Sequence, residues 1–266
     1  MWDFEHPPRN TALAEHYTLH YTRPALCAQE LLAGRADLGL IPIAALTPEL
    51  AVVPGCTIAS LHEVRSIQLI VKHPHTLQTV RRIAADTASR SSLAYASVLF
   101  RHFLGTEPHL SPAPADPVAM LRSADAAIII GDPALLAVEQ RAAIEAAVGP
   151  CHWYDLAQQW HQRTGLPWVA AVWAVRPQAL SPAHLSAAAI TTDLSSSRDH
   201  GLANIPTLVR EWAPRISVPA PTIEHYLTRN IHYHMDEACL AAIRLFRQLA
   251  AQHDVLPPLG ALRLLD

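Results

Sequence analysis

Residues 83–103 are the stretch that most constrains how this chain can fold. A short apolar run ends at Asp86, and a small polar loop with the sequence TASRSS follows it. Apolar residues then recur at helical spacing: Leu93, Ala96, Leu99, Phe100 and Phe103. A period near 3.6 directly after a short apolar run predicts a strand, a turn and the start of a helix. A strand that leads into a helix in this way is typical of α/β folds.

The polar loop of this stretch places hydroxyl groups and one guanidinium at the predicted helix start: Ser89, Arg90, Ser91 and Ser92. The first turn of a helix presents N–H groups without helical partners and a partial positive charge, and both favour an anion. A guanidinium adds a charge-assisted bond to a carboxylate. Two interpretations stay open on the local sequence. The loop binds a carboxylate, or the serines only cap the helix beside a solvated arginine.

Composition narrows the classes of function. Of the 266 residues, 50% are apolar and 16% are charged, which indicates a globular protein with a sizeable core. The formal net charge is −3 and no basic block occurs, so neither nucleic acid nor a membrane is an expected partner. The chain opens with MWDFEHPPRN, which lacks the pattern of an export signal and predicts a cytoplasmic protein.

The rarer residues argue against several kinds of chemistry. Lys72 is the only lysine, so an enzyme that forms a Schiff base would have to use it. The glycine-rich sequences of nucleotide-binding loops and the GxSxG turn of serine hydrolases do not occur. The four cysteines are scattered and form no CxxC pair, which favours reduced thiols that are mostly buried.

Hydrophobic periodicity predicts strands alternating with helices, followed by a helical tail. The predicted strands are residues 17–22, 36–43, 57–61, 66–72, 83–85, 109–110, 126–130 and 168–176. The predicted helices are residues 25–33, 93–103, 117–122, a helix after 131–133, 155–164, 182–198, 201–213, 221–233 and 235–252. The nearly continuous apolar run at 36–43 is typical of a buried parallel strand.

Two segments, residues 32–46 and 121–135, echo each other. Each contains a helix end, an Ala-Asp pair, a buried strand and a helix that begins just beyond the strand. The echo predicts two similar α/β units and therefore two lobes. Lobe one is expected to comprise residues 1–71 and 177–266, and lobe two residues 72–176.

The connections between the predicted lobes define where a ligand should bind. Residues 66–72 and 168–176 are the expected crossovers, one leading out of lobe one and one returning to it. Ligands of open α/β sheets bind beyond the carboxyl ends of the strands. We therefore expect Pro42, the loop at 89–92 and Asp132 to line one cleft between the lobes.

Four sequences carry a resemblance to a known family: DTASRSS, IIIGDPALL, YDLAQQWHQRTGLPWVAAVWAVR and YLTRNIHYHMDEACLAAIRLFRQLA. Together they resemble the chorismate dehydratase family of menaquinone biosynthesis (the futalosine route) over nearly the whole chain. The resemblance implies an α/β, two-lobed fold like that of type II periplasmic binding proteins, with a helical C-terminal tail. It also implies a hydro-lyase that needs no cofactor and converts chorismate, a small dicarboxylate, to 3-[(1-carboxyvinyl)oxy]benzoate.

The resemblance also implies positions for the substrate site. With Pro42, which comes from the expected position of the strand ends, the predicted substrate-binding residues are Ser89, Arg90, Ser91, Ser92, Pro42, Asp132, Thr164 and Gly165. The chain departs from the family at its start, where members open with a strand and an asparagine-containing loop. This chain begins at Met1 with residues that resemble the stretch after that loop, so the first strand of lobe one is expected to be missing.

The implied reaction needs orientation and a proton acceptor, because loss of water makes the ring aromatic. Asp132 is the candidate base, and its alternative role is an N-cap before Pro133. The enolpyruvyl carboxylate of the substrate is an alternative base. No metal site is predicted, because His232 and His234 would face different sides of the helix expected there.

Other functions stay open on the sequence. A solute-binding module for a small carboxylate would share the fold without chemistry. The sister enzyme of the same pathway, which forms 1,4-dihydroxy-6-naphthoate, relies on a second-lobe histidine, and neither His109 nor His152 lies in a matching context. The apolar side of the predicted helix 235–252 is a packing face, part of which is a candidate surface for a homodimer.

Overall fold

Two β-sheets organise the chain in the computed structural model, which describes residues 1–86, 90–180 and 185–266. The strands are β1 (Leu38–Pro42), β2 (Ala51–Ser60), β3 (Ile67–Lys72), β4 (Arg82–Ala85), β5 (His109–Pro112), β6 (Ala126–Ile130), β7 (Cys151–Asp155), β8 (Trp168–Val175) and β9 (His232–Met235). The α-helices are α1 (Trp2–Glu5), α2 (Asn10–Ala14), α3 (Pro24–Leu32), α4 (Arg90–Val98), α5 (Pro117–Ser123), α6 (Asp132–Glu139), α7 (Arg141–Val148), α8 (Leu156–Thr164), α9 (Ala187–Ala203), α10 (Ile205–Trp212), α11 (Ala220–His225) and α12 (Glu237–Gln252). Short 3-10 turns occupy Ile43–Ala45 and Pro177–Ala179, and π-helical turns occupy Leu99–Leu104 and Tyr226–Asn230.

The first sheet has the strand order β1-β8-β2-β9, and its neighbours are antiparallel. β8 lies at its centre because its apolar sequence buries both faces, with Trp168 and Val172 almost fully enclosed. The expectation of a parallel strand at 36–43 is wrong, since Leu38 lies opposite Val175 in an antiparallel pair. A continuous apolar run reports burial on both faces and says nothing about the direction of the neighbouring strand.

The second sheet has the order β5-β4-β6-β3-β7. β4 runs parallel to β5 and β6, and β3 is antiparallel to β6 and β7. Alternate residues of β3 face different cores: Leu69 and Val71 pack with α4 and α8, whereas Ile70 packs with Met120 and Leu121 of α5. This is the period of two expected for a strand covered by helices on both sides.

The C-terminal helix α12 returns to pack against α4. Tyr95 of α4 stacks on Phe246 with ring centroids 4.0 Å apart, and Ile243 is fully buried beside them. The predicted packing face of this helix is thereby confirmed. One core of the described chain includes residues of both sheets, so α4 and α12 lie where the two halves of the molecule meet.

Some local predictions are wrong. Residues 17–22 form an irregular, largely exposed segment and no strand. Residues 221–233 are not one helix, because α11 ends in a π-helical turn and β9 follows. The helix α7 and the strand β7, which lies at one edge of the second sheet, were not predicted.

The state of the cysteines agrees with the prediction. The cysteines are free, and three of them, Cys56, Cys151 and Cys239, are buried. In the described ranges no helix combines the length and the apolar character needed to cross a bilayer.

Candidate functional site

The start of α4 lies against the turn that follows β1. The hydroxyl of Ser91 accepts a hydrogen bond from the backbone N–H of Ala44 at 3.2 Å, and Pro42 is buried at the end of β1. Ser91 is 1% exposed and Ser92 is fully buried. The structure therefore places the predicted site residues Ser91 and Ser92 against the turn that Pro42 begins. Because the Ser91 hydroxyl accepts the Ala44 bond, it keeps its own hydrogen to donate.

Arg90 is the first described residue of α4, and its side chain is exposed. A guanidinium in that position is free to turn toward an anion at the helix terminus, where the helix dipole also favours negative charge. Ser89, which the sequence placed at the helix cap, lies outside the described residues. The described part of the loop thus supplies one charged group and two buried serines.

Thr164 and Gly165 end α8 and begin the turn that leads into β8. Gly165 adopts φ +70°, and the Thr164 hydroxyl donates to the Trp160 carbonyl at 2.9 Å and accepts from the Leu166 N–H at 3.1 Å. The Trp160 indole in turn donates to the Pro167 carbonyl at 2.9 Å. The turn therefore fixes the position of Trp160.

Trp160 connects this turn to α4. Its ring meets that of Tyr95 edge-on at 5.0 Å, and the Tyr95 hydroxyl donates to the Val169 carbonyl at 3.2 Å. Burial raises the pKa of the Tyr95 phenol, which keeps it a donor at neutral pH. The turn at Thr164 and Gly165 hence supports α4 through aromatic packing.

Asp132 begins α6 at the carboxyl end of β6. Gly131, at φ +68°, occupies the N-cap position, so the interpretation of Asp132 as the cap residue is wrong. Asp132 is the first helical residue, and its exposed side chain lies in the turn where the helix dipole favours a carboxylate. The Gly131 N–H donates to the Ser66 carbonyl at 2.8 Å, which ties this turn to residues 61–66, the crossover that leads from β2 of the first sheet to β3 of the second.

Tyr226 and Ser66 adjoin the turn at Gly131 through the Ser66 carbonyl, and their pairing was not predicted from the sequence. Their hydroxyls lie 3.0 Å apart, which joins the π-helical turn after α11 to the crossover. Burial raises the pKa of the Tyr226 phenol, the Ser66 bond lowers it, and the nearby charges of Asp132 and Asp155 raise it further. The phenol is therefore protonated at neutral pH and able to donate a hydrogen bond.

Asp155 holds the crossover itself. Its buried carboxylate accepts hydrogen bonds from the backbone N–H groups of Val64 at 3.1 Å, Arg65 at 2.6 Å and Gln158 at 3.0 Å. It also accepts one from the Gln68 amide at 3.2 Å. Burial raises the pKa of Asp155, and the N–H groups act in the opposite direction. Arg65, at φ +60°, takes a left-handed conformation that these bonds maintain.

One group of side chains in the described ranges has the composition and proximity of a metal site: His232, Asp236 and Cys239. None of them belongs to the predicted substrate site. His232 and His234 were predicted to lie on a helix and to face different sides of it. That prediction is wrong, because both residues lie in β9.

Sequence comparison identifies relatives over most of the chain. A family model described as menaquinone biosynthesis matches residues 3–252. The chorismate dehydratase of Thermus thermophilus is 28% identical over 245 residues, which cover 88% of this chain and 87% of the relative.

Comparison with solved structures defines the fold. The protein AF1704 from Archaeoglobus fulgidus matches with a TM-score of 0.68 and 17% identity, over 96% of this chain and 94% of that one. The periplasmic aliphatic sulphonate binding protein of Escherichia coli matches with a TM-score of 0.60 and 17% identity, over 93% of this chain and 82% of that one. The fold is accordingly the predicted two-lobed, periplasmic-binding-protein-like α/β fold.

Proposed function

This chain belongs to the menaquinone biosynthesis family, and from that premise we propose that it is a chorismate dehydratase. The reaction is the loss of water from chorismate, which gives 3-[(1-carboxyvinyl)oxy]benzoate on the futalosine route. The observation that carries the proposal is the match to the Thermus thermophilus chorismate dehydratase along 88% of the chain. A cytoplasmic location fits such a biosynthetic role.

The start of α4 is the proposed carboxylate site. The helix terminus supplies N–H groups and a partial positive charge, Arg90 supplies a guanidinium, and Ser91 supplies a hydroxyl hydrogen. Chorismate carries two carboxylates, and one of them is bound here. Pro42 and the turn after β1 form the opposite wall, because the Ala44–Ser91 bond holds that turn against the helix.

The elimination breaks the bond between the ring and its hydroxyl and removes the proton from the neighbouring ring carbon that bears the ether. The electron pair of the broken C–H bond completes the aromatic ring, and the hydroxyl takes up a proton from the acceptor or from solvent and leaves as water. Because the step involves no net oxidation or reduction, orientation and a proton acceptor are sufficient, and we include cofactor independence in the proposal. The acceptor is either the Asp132 carboxylate, which is exposed at the tip of β6, or the enolpyruvyl carboxylate of the substrate.

Incubation of the purified chain with chorismate tests the function directly. We expect an aromatic product about 18 mass units lighter, since one water is lost, and a matching change in ultraviolet absorbance. Calorimetry on the same sample separates the alternatives. Binding of chorismate without turnover would favour a solute-binding module. The absence of both binding and turnover would exclude chorismate as the ligand.

The Arg90→Ala variant tests the carboxylate site. Loss of a charge-assisted bond costs about 1.5–3 kcal/mol, so we expect kcat/KM for chorismate to fall about 10- to 100-fold. The exposed Arg122 of α5 offers a matched control, and Arg122→Ala is expected to keep the parent activity. Equal activity of both variants and the parent would remove Arg90 from the site.

The Asp132→Asn variant identifies the proton acceptor. General bases contribute about 10²- to 10⁴-fold, so a fall of that size in kcat with a small change in KM would assign the role to Asp132. An unchanged kcat would assign it to the enolpyruvyl carboxylate.

A further inference from the structure

A group of three different metal-ligand side chains lies where β9 leads into α12. His232 belongs to β9, Asp236 precedes the first residue of α12, and Cys239 lies in the first turn of that helix. The imidazole Nε2 of His232 is 3.2 Å from Oδ2 of Asp236, and the ligand atoms of all three residues lie within 4.8 Å of one another. Cys239 is fully buried, whereas Asp236 reaches solvent.

The local fold positions these atoms with little freedom. Asp236 is the N-cap of α12, and its Oδ1 accepts the backbone N–H of Cys239 at 2.8 Å. This bond uses only one carboxylate oxygen and leaves Oδ2 directed toward His232. An outer hydrogen bond that orients a carboxylate is a common feature of metal sites. The same helix turn holds the Cys239 thiol, which donates to the His234 carbonyl at 3.7 Å.

We propose that Nε2 of His232, Oδ2 of Asp236 and Sγ of Cys239 bind one divalent cation of the zinc class. Imidazole, carboxylate and thiolate are the ligands that Zn²⁺ takes in proteins, and a tetrahedral ion with three protein ligands leaves its fourth position to water. Magnesium and calcium are disfavoured because they take oxygen ligands. The thiol loses its proton to solvent when the sulfur–metal bond forms, so binding releases a proton.

The consequence of binding is stabilisation of the edge of the first sheet. β9 is the last strand of that sheet and pairs only with β2 among the described strands, with His234 opposite Cys56. An ion held by His232 from the strand and by Cys239 from the helix would fix β9 to α12. α12 carries Phe246, which packs on α4. In this proposal the ion has a structural role, because none of its three ligands belongs to the proposed substrate site.

Titration of the full chain with Co²⁺, after chelator treatment and under reducing conditions, tests the proposal. We expect one equivalent to bind with a near-ultraviolet thiolate-to-cobalt absorption, with release of a proton in weak buffer. We also expect Zn²⁺ to displace it and to raise the Tm of the chain. Absence of the thiolate absorption in the parent protein would overturn the proposal.

Variants locate the ligands. Cys239→Ala should abolish the thiolate absorption, and His232→Gln should weaken Zn²⁺ binding by more than about 100-fold, since loss of an outer partner alone costs about 10- to 100-fold. Two matched controls should bind as the parent does: Cys151→Ala, a buried cysteine of the second sheet, and His234→Gln, the neighbouring histidine of β9. Thiolate absorption that persists in Cys239→Ala, or a loss in His234→Gln equal to that in His232→Gln, would overturn the assignment.

Discussion

The start of α4 and the crossover between the two sheets both fix one part of the molecule against another, but by different physical means. Around α4 the contacts are apolar and aromatic, as Tyr95 stacks on Phe246 and meets Trp160 edge-on. At the crossover they are polar. Asp155 accepts the N–H groups of Val64 and Arg65. The two regions together position the candidate site.

The difference has consequences for how each region responds to change. Apolar packing depends on volume and is indifferent to protonation, whereas buried hydrogen bonds depend on direction and charge. The start of α4 should therefore be sensitive to a cavity and insensitive to pH. The crossover should be sensitive to single-atom polar substitutions and to the charge of Asp155.

The Phe246→Ala variant tests the apolar region and should have the largest effect. Phe246 is fully buried, so its truncation removes apolar contact and leaves a cavity beneath Tyr95, at a cost of about 3–5 kcal/mol in the free energy of unfolding. Urea denaturation measures this. Phe103→Ala is the matched control, because its half-buried ring should cost under about 2 kcal/mol. Equal losses would show that packing on α4 is not concentrated at Phe246.

The Asp155→Asn variant tests the polar region. An amide in place of the carboxylate presents N–H groups to backbone donors, so we expect a loss of about 3 kcal/mol in the free energy of unfolding. The control is Asp116→Asn at the exposed N-cap of α5, which should cost less than about 0.5 kcal/mol because the Asn amide oxygen accepts the same backbone N–H groups. If the two variants lose the same stability, Asp155 acts as a helix cap and not as the anchor of the crossover.

Features of the fold that depend on residues close together in the sequence were predictable. The strand, turn and helix at β4 and α4 follow from a local change of period, and β3 and β6 follow from continuous apolar runs. Pairing partners do not follow from such patterns, which is why the antiparallel pairing of β1 with β8 was not predicted. Residues 17–22 alternate as a strand would but find no neighbour, whereas β9 exists because β2 pairs with it.

The residues of the candidate site also fall into those that local sequence predicts and those that it does not. The serines of α4 and the tip at Asp132 were predicted because strand ends and helix starts have local signatures. Tyr226 and Asp155 were not, because their partners are distant in sequence: Tyr226 bonds a residue 160 positions away and Asp155 one 91 positions away. Only the tertiary fold brings these polar groups together.

The pH dependence of stability distinguishes the two regions further. Because the pKa of Asp155 is raised in the native state, the folded chain retains a proton that the unfolded chain has released. The contribution of Asp155 to stability is therefore complete below about pH 4, the ordinary value for aspartate, and decreases as the pH rises through its native pKa. A tenfold difference in proton affinity between the folded and unfolded chains corresponds to about 1.4 kcal/mol of unfolding free energy.

Urea denaturation at several pH values measures this dependence. The difference in unfolding free energy between the parent and Asp155→Asn should shrink as the pH is raised from about 4 toward 7, the range above the ordinary pKa of aspartate. The difference between the parent and Phe246→Ala should stay constant over that range. A parent–Asp155→Asn difference that grows with pH would mean that the N–H groups outweigh burial in setting this pKa.

The Tyr226→Phe variant should have the smallest effect on the free energy of unfolding, and it tests whether the crossover affects the reaction. Removal of the phenol oxygen loses the bond to Ser66, at about 1 kcal/mol. Tyr233→Phe is a close control, because that hydroxyl donates to the Leu227 carbonyl at 3.1 Å without touching the crossover. Both variants should lose similar stability in urea denaturation. Only Tyr226→Phe should lower kcat/KM for chorismate, because only Tyr226 connects to the turn that carries Asp132. Equal activity of Tyr226→Phe and Tyr233→Phe would show that Tyr226 has only a structural role. Asp155 alone would then position the crossover.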